Sequence, residues 1–152
     1  MLNLKDDDWV NGRASLGAIA GWTAEEIRLI ADLGFALAEY GRNEEALTIF
    51  DGLAAVAPAT AYFQSALGAL RLRTGDLDRA RVHLDAALAS DPEDVAALVN
   101  RGELFLRLNE RNLAAQDFLA LLDIPKIRAN ADSSPYAIRS RALLSVLTNA
   151  PP

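Results

Sequence analysis

Glycine returns at a fixed step of 34 residues, at Gly34, Gly68 and Gly102, and several other residue types keep the same step. Ala46, Ala80 and Ala114 do so, as do Phe50, Leu84 and Phe118, the series Gly41, Gly75 and Asn109, and Pro58 with Pro92. In the third unit Pro125 arrives one residue early. A period of this size marks one supersecondary unit that cannot bury its apolar side alone and therefore stacks on copies of itself. Two antiparallel helices account for each recurring position. Gly34, Gly68 and Gly102 fall in the first helix, where a missing side chain lets the second helix approach. Ala46, Ala80 and Ala114 fall in that second helix and are expected to present the small surface opposite. Gly41, Gly75 and Asn109 fall where the first helix ends, a position that wants a left-handed backbone. The prolines stop one helix or open the next.

Helix-start signals keep the same register. Thr23-Ala-Glu-Glu26 reads as a capping box, and Asp91-Pro92-Glu93-Asp94 as a capped acidic start. Asn43 and Asp76 stand where they can cap the second helices of units one and two. Ser133-Ser134-Pro135 reads as an N-cap followed by proline at the first helical position. The expected layout is all-α. A lead-in occupies 1–22, three helical hairpins occupy 23–128 (about 26–60, 61–94 and 95–128), and a last helix covers 134–149. Tyr136, Ile138, Leu143, Leu144 and Leu147 are expected to cover the open end of the third hairpin, leaving Arg139 and Arg141 to solvent.

Composition narrows the function. With 152 residues and 51% hydrophobic content the chain can bury one real core. Met1–Pro125 carries 11 basic and 20 acidic residues, whereas Lys126–Pro152 carries 4 basic and 1 acidic. An acidic body argues against nucleic-acid binding, which draws on clustered Lys and Arg. The chain has no cysteine and one histidine, His83, so thiolate nucleophiles, most structural zinc sites and Ser-His arrangements are excluded. No Gly-rich phosphate loop is present, and Glu25-Glu26 and Glu44-Glu45 are explained by the positive ends of helices. Asp6-Asp7-Asp8 reads as a solvated cap rather than a metal site. We therefore expect no enzyme activity, no cofactor and no metal. The N-terminus lacks a secretory pattern, and no stretch approaches a membrane span, so a cytoplasmic location without membrane insertion is expected.

The recurring residues resemble the tetratricopeptide repeat, through Leu33-Gly34, Ala46, Phe50 and Pro58, then Leu67-Gly68, Ala80, Ala87 and Pro92. The third unit is looser, with Arg101 before Gly102. The resemblance implies a right-handed superhelix whose concave face is lined by the first helix of each hairpin. Projected on that register, the inward positions are Arg28, Ala31, Phe35, Ala38 and Glu39, then Tyr62, Ser65, Ala69, Leu72 and Arg73, then Ala96, Val99, Glu103, Leu106 and Arg107. Small and apolar residues dominate, which suits an extended peptide. Phe35, Tyr62 and Leu106 are the expected anchors, with a core role between repeats as the alternative for Phe35 and, more so, for Leu72. A clamp for a free C-terminal carboxylate is disfavoured, because Arg28, Arg73, Asn100 and Arg107 are scattered and Ala31 and Phe35 stand where the cluster would begin.

Upstream, Gly12, Leu16, Ile19, Gly21, Trp22, Thr23 and Glu25 resemble, in order, the lead-in of the class II (translocator) chaperones of bacterial type III secretion. The resemblance runs from about Gly12 to Phe118. It implies a cytoplasmic bacterial chaperone that holds an extended segment of a hydrophobic secreted protein in its groove without ATP hydrolysis. A generic tetratricopeptide scaffold in another bacterial assembly is the alternative. The chain departs from the family where Ala38, Asn43 and Ala59 replace aromatic residues. The family's N-terminal segment mediates dimerisation, for which Trp9, Val10, Leu16 and Ile19 would form the apolar patch of a homodimer.

Overall fold

A computed structural model describes residues 21–57 and 60–149. The expected N-terminal patch, the Asp6-Asp7-Asp8 run, Pro58 and Ala59 lie outside these residues. Among the described residues there are eight helices and no strand. They are α1 (Ala24–Glu39), α2 (Asn43–Val56), α3 (Ala61–Thr74), α4 (Leu77–Ser90), α5 (Val95–Arg107), α6 (Arg111–Asp123), the short α7 (Pro125–Ala129) and α8 (Pro135–Asn149). The first six pair as three consecutive antiparallel hairpins, and each new hairpin packs through its first helix on the second helix of the one before.

The turns follow the sequence reading. Gly41, Gly75 and Asn109 adopt φ of +76°, +85° and +61°, and each follows the end of a first helix. Thr23 and Glu26 close a reciprocal capping box, with Glu26 N–H donating to Thr23 Oγ1 at 3.2 Å and Thr23 N–H donating to Glu26 Oε2 at 2.8 Å. The bond from the Thr23 backbone holds the Glu26 carboxyl below its ordinary range. Asp76 and Asp94 accept from Arg79 N–H and Ala97 N–H at 3.3 and 3.0 Å. Asn43 does not cap α2. Arg42 holds the N-cap position, Asn43 is the first helical residue, and its Oδ1 is buried without a hydrogen-bond partner.

The glycines do permit close approach, but against other residues than the alanines. A Cβ at Gly34 would fall 2.8 Å from the Phe50 ring, and one at Gly68 would fall 2.5 Å from Leu84 Cγ; at Gly102 the obstruction is the Phe118 ring. Each obstructing residue lies one turn beyond the repeat alanine. The alanines themselves are fully buried and let the helices seat, while the large side chain fills the notch above the glycine.

Two apolar clusters result. One joins the first hairpin to α3 around Leu47, Phe50, Leu53, Phe63 and Leu67, and the other runs from α3 and α4 through α5 and α6 to α8. Leu67 is buried within the first cluster, but its repeat equivalent Leu33 is 52% exposed, because no earlier hairpin covers that side of α1 among the described residues. The last helix packs differently from expectation. Ala137 and Ser140 are its buried residues, with Leu143, Leu144 and Leu147 partly buried beside them, whereas Tyr136 and Ile138 are exposed. Small residues at the start of α8 allow the close approach that Tyr136 and Ile138 would block. Ser134 Oγ accepts from Ala137 N–H at 3.4 Å, as its N-cap position requires.

Candidate functional site: the face of the stacked first helices

The first helices lie side by side, and the same side chain ties each to the next. Arg73 Nη1 donates to the Ala38 carbonyl at 2.9 Å, and one repeat later Arg107 Nη1 donates to the Leu72 carbonyl at 2.7 Å. Carbonyls in the last turn of a helix lack intrahelical partners and carry the negative end of its dipole, so a guanidinium satisfies both needs. Arg73 and Arg107 are thus committed to joining repeats. Their common spacing was visible in the sequence, but its meaning needed the carbonyls to be located.

The fifteen expected inward residues divide by exposure. Ala31, Ala38, Ser65, Leu72 and Val99 are buried. Leu72 and Val99 belong to the main core, so they hold helices together and offer a ligand nothing. Phe35, Ala69, Ala96, Glu103 and Leu106 are partly buried, and Arg28, Glu39, Tyr62, Arg73 and Arg107 are exposed. The surface left open is therefore a row of partly covered small and apolar groups with charges at the margin.

Its most developed feature is aromatic. The Phe35 ring meets Phe50 edge-on with centroids 4.9 Å apart and lies 5.3 Å from Tyr62, while Tyr62 lies 5.9 Å from Phe63. Phe50 and Phe63 are buried beneath, so the core fixes the two upper rings from below. Tyr62 remains 53% exposed. Partial burial pushes its phenol up, with the Asp32 carboxylate and then Tyr136 adding to the effect. Tyr62 is therefore a neutral hydrogen-bond donor across the physiological range. Asp32 was absent from the expected set. It stands one turn from both Arg28 and Phe35, and only the position of the Tyr62 hydroxyl reveals that it borders the same face.

Other polar residues are structural. Arg101 replaces the leucine of the first two repeats, and its Nε and Nη2 bind Asp117 at 2.8 and 2.7 Å while Nη1 reaches Asp85 at 2.9 Å. Those bonds, to Asp117 above all, raise its pKa further, and the carboxylate they neutralise is buried. His83 sits half-buried with Nδ1 2.8 Å from Gln64 Oε1, and burial lowers its pKa. No group of three or more His, Cys, Asp or Glu side chains gathers as a metal site among the described residues. A separate apolar hollow of about 280 Å³ is lined by Trp22, just before α1, and by Glu26, Leu29 and Ile30 on α1, none of them in the expected row. No helix of the described residues is long and apolar enough to cross a membrane.

No protein-family model matches the sequence, and no curated protein matches it. Solved structures do match. The type III secretion translocator chaperone SycD of Yersinia enterocolitica superposes with a TM-score of 0.76 at 18% identity, covering 88% of this chain and 98% of that one. PcrH, known from Pseudomonas aeruginosa, superposes in its complex with the chaperone binding region of PopD at a TM-score of 0.71 and 23% identity, covering 84% and 95%. The first tetratricopeptide domain of Spaghetti (RPAP3), bound to an HSP90 peptide, gives a TM-score of 0.69 at 15% identity, covering 84% and 97%. The fold is that of tetratricopeptide-repeat proteins.

Proposed function

We propose that this chain is a bacterial cytoplasmic chaperone that holds an extended apolar segment of a secreted, translocator-type protein against the face of α1, α3 and α5. The observation that carries the proposal is the Phe35–Tyr62 pair, two tilted rings with centroids 5.3 Å apart, Phe35 partly buried and packed on the buried Phe50, and Tyr62 exposed. Rigid aromatic anchors beside small residues are the usual energetic centre of a peptide-binding surface. The lead-in residues Gly12 to Glu25 and the superposition on SycD and on PcrH bound to a region of PopD support the translocator class. The face offers hydrogen-bonding groups, rings and small apolar residues, and binding there needs neither cofactor nor catalysis. Self-association through Trp9, Val10, Leu16 and Ile19 belongs to the same proposal.

A scaffold for another assembly shares the fold, as the RPAP3 domain illustrates. Capture of a free C-terminal carboxylate is the form of that reading that the geometry disfavours, since Arg73 and Arg107 each direct a donor to a backbone carbonyl of the preceding first helix rather than converging with Arg28 and Asn100.

The test uses fluorescent short apolar peptides containing proline, with free and amidated C-termini, and measures affinity by anisotropy. Amidation is expected to leave affinity unchanged. Tyr62→Ala, an exposed truncation, and Phe35→Leu, which keeps the core filled, are each expected to weaken the best peptide, Tyr62→Ala by about 2 kcal/mol or roughly thirtyfold. Binding untouched by both substitutions refutes the site.

A further inference from the structure

Helix α8 packs on α6 and α5, the relation that α5 has to α4 and α3. It therefore stands where the first helix of a fourth hairpin would stand, and one of its sides continues the face formed by α1, α3 and α5.

An ion pair identifies that side. Arg139 Nε lies 2.5 Å from Glu103 Oε1. Glu103 occupies the repeat position of Phe35 and Ala69, so the side of α8 that carries Arg139 is turned to the ligand face. Arg139 is exposed, as expected, and it also joins α8 to a residue of the expected groove. Tyr136 precedes Arg139 by three residues, which places both on one stripe of the helix. Tyr136 is 39% exposed. Tyr136 adds to the upward push on the Tyr62 phenol, after burial and the Asp32 carboxylate. Between them, at the repeat position of Tyr62 one hairpin on, stands Ala96, whose methyl group leaves the intervening surface low.

We infer that Tyr136 is a ligand-contacting residue that faces Tyr62 across Ala96, extends the aromatic row begun by Phe35 to the last helix, and is held in place by the Glu103–Arg139 ion pair. The occupant is the extended apolar segment of the preceding proposal, on which this inference rests. A peptide crossing Ala96 is gripped from both sides by rings whose hydroxyls can donate to its backbone carbonyls. Arg139 acts through position rather than contact.

Affinity for the same fluorescent peptide tests the inference. Tyr136→Ala is expected to weaken binding by about tenfold with only a small fall in the unfolding midpoint, and Tyr136→Phe is expected to retain most of the affinity. Arg139→Glu sets two carboxylates against each other and is expected to weaken binding to a similar degree. Adding Glu103→Arg restores the pair in reverse and is expected to restore binding, and failure to do so overturns the role given to Arg139. If Tyr136→Ala binds as wild type while Tyr62→Ala does not, the site ends at α5 and the inference fails with the proposed function intact. Tighter binding by Tyr136→Ala would make α8 an obstacle and overturn it equally. If neither tyrosine matters, the proposed function itself is wrong.

Discussion

Replacing Gly68 by alanine sets two opposing effects against each other in one helix. Alanine is the better helix former by about 1 kcal/mol, so an unobstructed site would gain stability. At Gly68 the added Cβ would lie 2.5 Å from Leu84 Cγ, 2.6 Å from Leu84 Cδ2 and 3.3 Å from the Leu84 backbone nitrogen. Leu84 is fully buried in the main core, so neither its side chain nor α4 can withdraw without disturbing neighbours. Overpacking of this kind typically costs about 1–3 kcal/mol in measured total, and the backbone contact places Gly68→Ala in the upper half, at about 2 kcal/mol. For a chain of this length that is a fall of roughly 4–8 °C in the unfolding midpoint. Gly52, in α2, supplies the control, because nothing lies within 4 Å of its virtual Cβ. Gly52→Ala is expected to stabilise by about 0.5–1 kcal/mol. Urea unfolding followed by far-ultraviolet circular dichroism measures both. A second control removes the side-chain obstruction, and in a Leu84→Ala background the Gly68→Ala penalty is expected to shrink to what the 3.3 Å backbone contact imposes. Stabilisation by Gly68→Ala, or the same sign at both glycines, would refute the claim that helix approach fixes these positions.

Two further outcomes are expected. Arg101→Ala strands the buried Asp117 carboxylate and is expected to cost about 3 kcal/mol, against less than about 1 kcal/mol for Asp85→Ala at the half-exposed end of the same network; equal costs in urea unfolding would contradict the asymmetry. His83 is the only imidazole, so its proton resonances titrate alone, and burial is expected to place their midpoint below the ordinary value of 6.5. The unfolded chain then binds more protons than the folded one just below pH 6.5, so stability is present above that value and is lost as pH falls toward the folded midpoint. His83→Gln should flatten that segment of the stability curve, and an unaltered slope would assign it to other groups.

Much of the fold was legible because its rules are local or operate within one hairpin. The positive φ at Gly41, Gly75 and Asn109 is a property of single residues, and the capping box at Thr23 spans four. The candidate site was legible in part. Periodicity identifies Phe35 and Tyr62 as belonging to one face, but periodicity alone cannot separate a residue that lines a surface from one that packs beneath it. Leu72 and Val99 fell on the buried side of that division and Tyr62 on the open side. The difference depends on which neighbouring helix lies over each, and α8 was read only as a cap.

The step of 34 residues by itself determined that the chain builds stacked helical hairpins, where each hairpin turns, and which helix contributes to the common face, because backbone geometry and small-residue spacing repeat with the unit. Tertiary structure alone decided where the long charged side chains go. Arg73 and Arg107 reach back to carbonyls of the preceding first helix, Arg101 spans three helices, and Arg139 joins the last helix to Glu103. A guanidinium at the end of a flexible stem can satisfy any acceptor within reach, so its partner is set by which helices the apolar core has brought together.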